Sequence, residues 1–281
     1  SCTTLSKETI KRTVPTSVIS AAFRKNQFVF SNFGQPIRKL LHQFSLIAVQ
    51  NSQSKELLLD KGFTNVELTG DGRFDNVLRL ESEAFEHKII ERFCSERQTL
   101  IGGSIWEEDE DRILPQIMRH TYLNFLLAPH DISEGNIKRL ASRLPTSHAL
   151  LSELDESSNL EDVRVLIIDS IGILSRVYRY GAFAFVGGGY KTGLHNILEP
   201  AVYSMPVFFG PEHDKFWEAE ALMRAGGGFE IKAVEDLDSL LKRMADSEAK
   251  RSEAGTLAYD FVRSNAGASE ETAKLLIRQI P

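Results

Sequence analysis

Short, continuous apolar runs separated by longer helical patterns constrain the fold of this chain more than any other feature. The run from Val165 to Ile168 is apolar at every position. A strand of this kind is buried on both faces, as happens when helices cover both sides of a parallel sheet. The repeated alternation of strand and helix therefore predicts an α/β fold with a doubly wound, mostly parallel sheet.

The individual segments follow this alternation along most of the chain. The strand pattern occurs at Val14–Ser20, Leu46–Val49, Val66–Leu68, Thr99–Gly102, Phe125–Ala128, Val163–Ile168, Phe183–Gly187, Pro206–Gly210 and Phe229–Ile231. The helix pattern occurs at Ser54–Lys61, Asn76–Phe93, Glu107–His120, Glu134–Arg143, Ile171–Tyr180, Lys215–Ala225 and Val234–Ser247. Ser252–Ile280 is interpreted as one or two helices that close the chain.

Composition narrows the classes of protein. The 281 residues suffice for one large core or two modest ones. The net charge of -6 gives no reason to expect nucleic acid as a partner. No run reaches the ~18–20 apolar residues of a membrane-spanning helix, and the start at Ser1 lacks a signal-peptide pattern. Two lone cysteines, Cys2 and Cys94, cannot form a disulfide framework, which suits a reducing cytoplasm.

The segment Phe23–Phe44 differs from the rest of the chain because aromatic residues alternate with basic ones. Five phenylalanines are interspersed with arginine, lysine and histidine. We interpret it as a packed linker that crosses between domains or belongs to a neighbouring one. Contact with a membrane surface or an anionic lipid is the alternative.

The strongest candidate site is the loop that follows the strand Phe183–Gly187. Three successive glycines, Gly187 to Gly189, and then Gly193 precede a helix start at Asn196. Glycines let the backbone approach a ligand, and a helix N-terminus favours an anion such as phosphate. Glu199 is placed to accept hydrogen bonds from two ribose hydroxyls. Alternatively, Asn196 and Glu199 form a capping-box pair, but that leaves the glycines unexplained.

The residue spacing argues against other kinds of binding site. The loop matches neither the Gly-x-Gly-x-x-Gly dinucleotide fingerprint nor the P-loop, which argues against a nicotinamide dehydrogenase. The acidic run Glu107–Asp111 is interpreted as a solvated helix start whose charges complement the helix dipole. No His or Cys spacing indicates zinc, so we expect no metal and no cofactor.

Three more loops follow predicted strands and should face the same cleft. Asp169 or Ser170 would cap the helix after Val163–Ile168. His130 could contact a base or a phosphate, or be an ordinary loop residue. Arg73 either holds the negative charge of a ligand or pairs with Asp75.

These residues resemble one enzyme family. The pattern Gly-Gly-Gly-x-x-x-Gly-x-His-Asn-x-Leu-Glu-Pro, Pro206–Pro211, Phe216 and Ala225–Gly227 are similar to the C-terminal half of 3-deoxy-D-manno-octulosonic acid (Kdo) transferases. So are the stretch from Val49 to Asp75 and the pattern Asp-x-Ile-Gly-x-Leu at residues 169–174. The similarity runs from about residue 14 to the C-terminus. It implies a Rossmann-like GT-B glycosyltransferase domain that uses CMP-Kdo as donor.

Taken with the loops, the resemblance implies a nucleotide-binding site. Pro129 and His130 would line the cytidine site, and Arg73 would stabilise negative charge on the leaving group. The candidate substrate-binding residues are Pro129, His130, Ile171, Gly172, Ile173, Gly188, Gly189, Asn196, Ile197, Leu198 and Glu199. The family often has Pro-Arg-His and Met-Gly-Glu where this chain reads Ala-Pro-His at residues 128–130 and Ile-Gly-Ile at residues 171–173.

The resemblance also predicts how the chain is organised. We expect residues 1–44 to be the end of an N-terminal acceptor domain, residues 45–255 a donor-binding domain and residues 256–281 a closing helix. The family's general base and membrane-anchoring segment find no match near Ser1–Leu5. We therefore expect the chain to bind cytidine nucleotides but to transfer sugar poorly or not at all by itself.

The intact enzyme would move Kdo from CMP-Kdo to a lipid A precursor at the cytoplasmic face of the bacterial inner membrane, touching the membrane through the N-terminal domain. Two alternatives stay open. One is a UDP-sugar transferase or epimerase of the same fold, and the other is a non-catalytic nucleotide-binding fragment. Competition between UDP and CMP, and a turnover assay, would separate them.

Overall fold

A computed structural model describes residues 14–191 and 193–278 of the chain. Predictions that fall on Ser1–Leu5, including Cys2, lie outside these residues. The described residues form two compact units: residues 14–76 with 265–278, and residues 77–264. The predicted α/β fold with parallel sheets is confirmed, because every strand pair is parallel in both sheets of the described residues.

The described residues form ten strands and twelve α-helices. The strands are β1 (Ser17–Ala21), β2 (Leu46–Val49), β3 (Val66–Leu68), β4 (Thr99–Ile105), β5 (Asn124–Pro129), β6 (His148–Leu150), β7 (Val165–Ile167), β8 (Phe183–Val186), β9 (Val207–Phe209) and β10 (Gly228–Glu230). The helices are α1 (Gln35–Leu41), α2 (Ser52–Leu59), α3 (Gly72–Ser82), α4 (Lys88–Ser95), α5 (Glu107–Arg119), α6 (Glu134–Arg143), α7 (Leu174–Val177), α8 (Leu198–Ala201), α9 (Trp217–Ala225), α10 (Val234–Ala245), α11 (Glu248–Ser264) and α12 (Ala268–Ile277). Short 3-10 turns lie at Phe28–Phe30, Asn32–Gly34, Leu151–Glu153 and Tyr178–Tyr180.

The first unit is built on a three-stranded sheet in the order β1-β2-β3. All four residues of β2 are buried, as expected for a central parallel strand. Ile47 and Val49 pack with Leu58 of α2 and with Phe63 in a separate hydrophobic cluster. The unit therefore has a core of its own.

The second unit is built on a seven-stranded sheet in the order β10-β9-β8-β4-β5-β7-β6. Alternate residues of a strand face opposite sides, and both sides are apolar. Phe125 and Leu127 join the cluster that contains Ile113 of α5, whereas Leu126 joins the cluster that contains Ile90 of α4. This two-sided burial is the physical cause of the continuous apolar runs in the sequence.

The division into units differs from the predicted one at both ends. We expected a boundary after residue 44, but β2 and β3 pair with β1 in one sheet, so the division falls at residue 76, within α3. The predicted closing helix over residues 256–281 is two helices, α11 and α12, and they belong to different units. Strand pairing between distant segments is not visible in local sequence patterns.

Two segments of the second unit also differ from the sequence prediction. The predicted helix Asn76–Phe93 is broken into α3 and α4, because side chains from a distant segment bind the intervening backbone. Arg179 Nη2 donates to the carbonyl of Glu83 at 3.0 Å, and the Tyr180 hydroxyl accepts from the N–H of His87 at 3.0 Å. The edge strand β6 was not predicted, since it is three residues long and partly exposed.

The aromatic and basic segment Phe23–Phe44 lies in the first unit rather than in a linker of its own. It forms two 3-10 turns and α1, with Val29 buried. The ring of Phe23 contacts Phe30 at 5.9 Å between centroids. In residues 14–191 and 193–278, no helix combines the length and apolar character that crossing a bilayer requires.

The fold generates a prediction at Gly103 in β4. A Cβ at residue 103 would lie 1.8 Å from the hydroxyl oxygen of the fully buried Tyr178. We expect Gly103→Ala to lower the free energy of unfolding by about 2–3 kcal/mol through overpacking, measured by urea denaturation.

The matched control is Gly135→Ala in α6, where an added Cβ meets nothing within 4 Å. We expect this variant to be unchanged or up to about 1 kcal/mol more stable, because alanine is the better helix former. Equal stability of the two variants would contradict the proposed close packing of β4 against Tyr178.

Candidate functional site

The strand order of the second unit reverses between β4 and β8. From β4 the sheet continues on one side through β5, β7 and β6, and on the other through β8, β9 and β10. In open α/β sheets, ligands bind in the crevice outside the carboxyl ends of the strands at such a point. Gly103 of β4 pairs with Val186 of β8, so the segments that follow both strands begin at the same edge.

The glycine loop, defined as residues 187–197, packs tightly at this edge, with Thr192 outside the described residues. A Cβ at Gly187 would lie 2.3 Å from the carbonyl oxygen of Ser104, and one at Gly189 would lie 2.6 Å from the Gly210 nitrogen. Gly188 has φ +89°, a conformation that other residues rarely adopt. Close packing or backbone conformation therefore explains why each of these three positions is a glycine. The predicted ligand contacts of Gly188 and Gly189 remain predictions.

Asp109 anchors the glycine loop to the start of α5. One of its carboxylate oxygens, Oδ2, accepts from the N–H of Gly188 at 2.9 Å and from the N–H of Trp106 at 2.8 Å. The side chain is buried, and this burial raises the pKa of Asp109 to about 6, against the two hydrogen bonds and the nearby Arg112 that lower it. The loop is therefore fixed to α5 by a desolvated carboxyl group.

Burial of Asp109 corrects the interpretation of Glu107–Asp111 as a solvated helix start. Asp109 and Glu110 are both buried. Glu110 accepts from Arg139 at 2.8 Å and from Arg143 at 2.7 Å, which ties α5 to α6. Buried acidic groups need such partners, and these partners lie about 30 residues away in the sequence, where no local pattern reveals them.

Three aromatic rings, the three-ring cluster, lie beside the carboxyl ends of β4, β5 and β8. Trp106 follows β4, His130 follows β5, and His195 belongs to the glycine loop. The Trp106 and His130 rings stack with centroids 4.3 Å apart, and the His130 and His195 rings stack at 4.7 Å. Trp106 Nε1 also lies 3.2 Å from His195 Nε2.

The distance of 3.2 Å between Trp106 Nε1 and His195 Nε2 shows which face of the His130 ring is covered. Rings on opposite faces of the imidazole would be about 7 Å apart, since each stacking separation is about 3.5 Å. Trp106 and His195 are in direct contact, so both lie against the same face of His130. His130 is exposed, whereas the preceding Pro129 is buried in β5. A flat ring can therefore stack on the opposite face of His130.

The segment from Asn196 to Glu199 differs from the predicted helix N-terminus. Helix α8 has only four residues, too short for a strong dipole, and its first N–H, at Leu198, bonds to Asn196 Oδ1 at 3.2 Å. Asn196 Nδ2 donates to Glu199 Oε1 at 3.2 Å, so the capping-like pair is present. The side chains of Ile197 and Leu198 are buried in the core and can offer a ligand only backbone groups.

Glu199 nevertheless has the properties of a ligand-binding carboxylate. It is half-buried, and burial raises its pKa while the bond from Asn196 opposes that rise. Burial raises the pKa of the Tyr178 hydroxyl, and the nearby Glu199 raises it further. A partly desolvated carboxylate with one remaining oxygen forms strong hydrogen bonds to hydroxyl donors.

The loop after β7 corrects the predicted cap. Asp169 does not cap a helix, because its Oδ1 accepts from the N–H of Ser152 at 3.0 Å and α7 begins only at Leu174. Ile171 is 82% exposed and Gly172 has φ +91°, whereas Ile173 packs against the core. The predicted nucleotide contact at Ile171 is thus sterically accessible.

Arg73 lies in the first unit, in α3, and pairs with Asp71 rather than with Asp75. Its Nη2 and Nε donate to Asp71 Oδ2 at 2.7 and 2.9 Å. Asp75 instead accepts from the N–H groups of Gly267 and Ser269 at the start of α12, at 2.6 and 2.7 Å. Both carboxylates therefore fix segments of the first unit.

Sequence reasoning missed Trp106, Asp109 and His195 as site residues. Trp106 was detectable in principle, because it directly follows β4 just as His130 follows β5. Asp109 was interpreted only as one of the acidic residues of Glu107–Asp111. His195 was identified only as part of the glycine-rich family motif. Among the described residues, no group of three or more His, Cys, Asp or Glu side chains is arranged to hold a metal ion.

Comparisons with known proteins show which enzymes this chain resembles. Residues 3–76 match the family described as "3-Deoxy-D-manno-octulosonic-acid transferase (kdotransferase)". The Kdo transferase of Chlamydia pneumoniae is 25% identical over 83% of this chain, and that of Aquifex aeolicus is 32% identical over 52%. This chain is similar to the Kdo transferases over most of its length. It spans 55% and 41% of the length of these two curated relatives.

The resemblance predicted from the sequence is thereby confirmed, and it begins at residue 3 rather than near residue 14. Solved structures agree on the fold. The "C-terminal CMP-Kdo binding domain of WaaA" from Acinetobacter baumannii has a TM-score of 0.55 at 18% identity, covering 68% of this chain and 97% of that domain. The S. aureus MnaA–UDP structure has a TM-score of 0.63 at 15% identity, covering 95% of this chain and 70% of its own. The GT-B prediction is confirmed at the level of the fold.

Asp109 generates a prediction about the pH dependence of stability. Its pKa rises from the usual 3.8 to about 6 on folding, so the folded state binds this proton more tightly than the unfolded state. The resulting stability is present below pH 4 and is lost as the pH rises through 6. Relative to the Asp109→Asn variant, the free energy of unfolding of the unsubstituted protein should fall by about 2 kcal/mol between pH 4 and pH 7.

Urea denaturation at several pH values measures this difference. The control is Glu107→Gln, in the same helical turn. The Glu107 side chain is 67% exposed, so this variant should retain the pH dependence of the unsubstituted protein. If the difference between Asp109→Asn and the unsubstituted protein does not change with pH, the carboxyl group is not desolvated as described.

Proposed function

We propose that this chain is part of a Kdo glycosyltransferase and that its second unit binds the donor CMP-Kdo. The observation that carries the proposal is the crevice between β4 and β8, where His130, the glycine loop and Glu199 converge. The relationship to Kdo transferases supports this choice of nucleotide sugar, and so does the likeness to a CMP-Kdo binding domain.

Each part of CMP then has a partner of suitable chemistry. The cytosine ring stacks on the open face of His130, beside the exposed Ile171. Glu199 accepts hydrogen bonds from the ribose hydroxyls through its desolvated carboxylate. The backbone of the glycine loop lies next to the phosphate. This order, from base to phosphate, follows the carboxyl edge of the sheet from β5 to β8.

The transfer reaction moves Kdo to a hydroxyl of a lipid A precursor. Departure of CMP leaves negative charge on its phosphate, and catalysis requires groups that stabilise this charge. Arg73 is assigned this role. Its guanidinium is oriented by the buried Asp71 while its side chain remains 40% exposed.

We place the reaction at the cytoplasmic face of the bacterial inner membrane, where a lipid acceptor is accessible. In the first unit, Phe28 is 58% exposed and Phe33 is 82% exposed, and the exposed Arg24 and Lys25 lie nearby in sequence. Aromatic side chains with neighbouring cations favour an anionic membrane surface. This supports peripheral contact through the aromatic and basic segment.

A second candidate is a UDP-sugar epimerase or transferase. The observation in its favour is that MnaA, solved with UDP, resembles more of the chain than the WaaA domain does, with TM-scores of 0.63 and 0.55. Preference for uridine or cytidine nucleotides separates the two. Competition with UDP that is stronger than with CMP would favour this alternative.

Isothermal titration calorimetry with CMP tests the proposal. We expect a Kd below about 1 mM. Glu199→Gln should weaken binding about tenfold, because hydrogen bonds from the ribose to a charged acceptor become bonds to a neutral one. The control Glu220→Gln removes an exposed carboxylate of α9 and should bind CMP like the unsubstituted protein. A folded protein that takes up no CMP at millimolar concentration contradicts the proposal.

A further inference from the structure

The contact between Trp106 and His195 determines where the proton of His195 sits. The indole Nε1 is a donor only, so His195 Nε2, 3.2 Å away, is the acceptor. An imidazole nitrogen accepts a hydrogen bond only when it carries no proton. His195 is therefore neutral in this arrangement, and its proton lies on Nδ1.

The surroundings of His195 favour the neutral ring. Burial lowers its pKa, and the adjacent His130 lowers it further. Asp109 binds the N–H of Gly188 in the same loop, and Lys191 of the loop pairs with Glu108 at 2.9 Å. Neutral His195 thus agrees with both the contact and the electrostatics.

The backbone that carries His195 is fixed from several sides. Its N–H donates to the carbonyl of Gly187 at 3.1 Å, and the N–H of Gly193 donates to the carbonyl of Gly188 at 3.0 Å. Asp109 holds Gly188, and the His195 ring stacks on His130. With the backbone held in this way, the indole N–H selects the tautomer of the ring.

We propose that Trp106 is a positioning residue that fixes His195 as the neutral tautomer protonated on Nδ1, so that this N–H donates to a phosphate oxygen of the bound nucleotide. The proposal rests on the proposed nucleotide site. A hydrogen bond from an imidazole to a phosphate oxygen is charge-assisted and stronger than a neutral one. His195 then distinguishes a nucleotide from the corresponding nucleoside.

The tautomer is tested without any nucleotide. Nitrogen NMR of protein labelled with ¹⁵N-histidine at pH 8, with His195 assigned from its loss in His195→Phe, reports which ring nitrogen is protonated. We expect a protonated Nδ1 and a bare Nε2 in the unsubstituted protein, and a tautomer mixture in Trp106→Phe. The control Trp217→Phe removes an indole from α9 and should keep the Nδ1–H tautomer.

A proton on Nε2 in the unsubstituted protein would overturn the assignment. So would an unchanged tautomer in Trp106→Phe. Both results are independent of whether the protein binds CMP.

The phosphate contact is tested by the ratio of the Kd for cytidine to the Kd for CMP. We expect His195→Phe to lower this ratio about tenfold or more, the effect of one hydrogen bond to a charged group. Trp106→Phe should lower it by a smaller factor, because part of its tautomer mixture still carries the proton on Nδ1. The Kd for cytidine itself should change less than about twofold. Once His195 is phenylalanine, adding Trp106→Phe should lower the ratio no further, because the two residues act through one hydrogen bond.

Trp217→Phe should leave the ratio unchanged. Equal weakening of cytidine and CMP in Trp106→Phe would overturn the proposal, since it would show only a structural or base-stacking role. If the unsubstituted protein binds neither ligand, the proposed function fails, and the NMR result alone then decides the tautomer.

Discussion

The close approach of the glycine loop to the end of β4 is the constraint on which the candidate site depends. Gly187 leaves no room for a Cβ against Ser104, and the neighbouring N–H of Gly188 is held by the buried carboxylate of Asp109. These contacts join the two strands at which the sheet order reverses. Because the loop is fixed there, His195 meets Trp106 and His130 beside the carboxyl ends of β4, β5 and β8.

Burial gives the site its electrostatic character. The carboxyl groups of Asp109 and Glu199 both have raised pKa values because they are desolvated, and the pKa of His195 is lowered for the same reason. Each group is thereby shifted toward its neutral form. In a partly dry crevice, such groups form strong hydrogen bonds with the polar parts of a ligand. Hydrogen bonds and ring stacking are therefore the interactions that this part of the molecule offers to a ligand.

Much of the fold was predictable because burial on both faces of a parallel sheet leaves continuous apolar runs such as Val165–Ile168. The motif around Asn196 and Glu199 lies at the edge of the sheet where the strand order reverses, and its ligand contacts stay a prediction. The contacts that depend on distant residues were not predictable. The break before α4 depends on Arg179, the burial of Glu110 depends on arginines of α6, and the role of Asp109 depends on Gly188.

A crystal structure with CMP bound tests the central claim most directly. The account predicts cytosine density stacked on the open face of His130, about 3.5 Å from the ring. It also predicts the ribose hydroxyls within hydrogen-bond distance of Glu199 and the phosphate beside the glycine loop. CMP bound away from the crevice between β4 and β8, or with its base far from His130, would contradict the account.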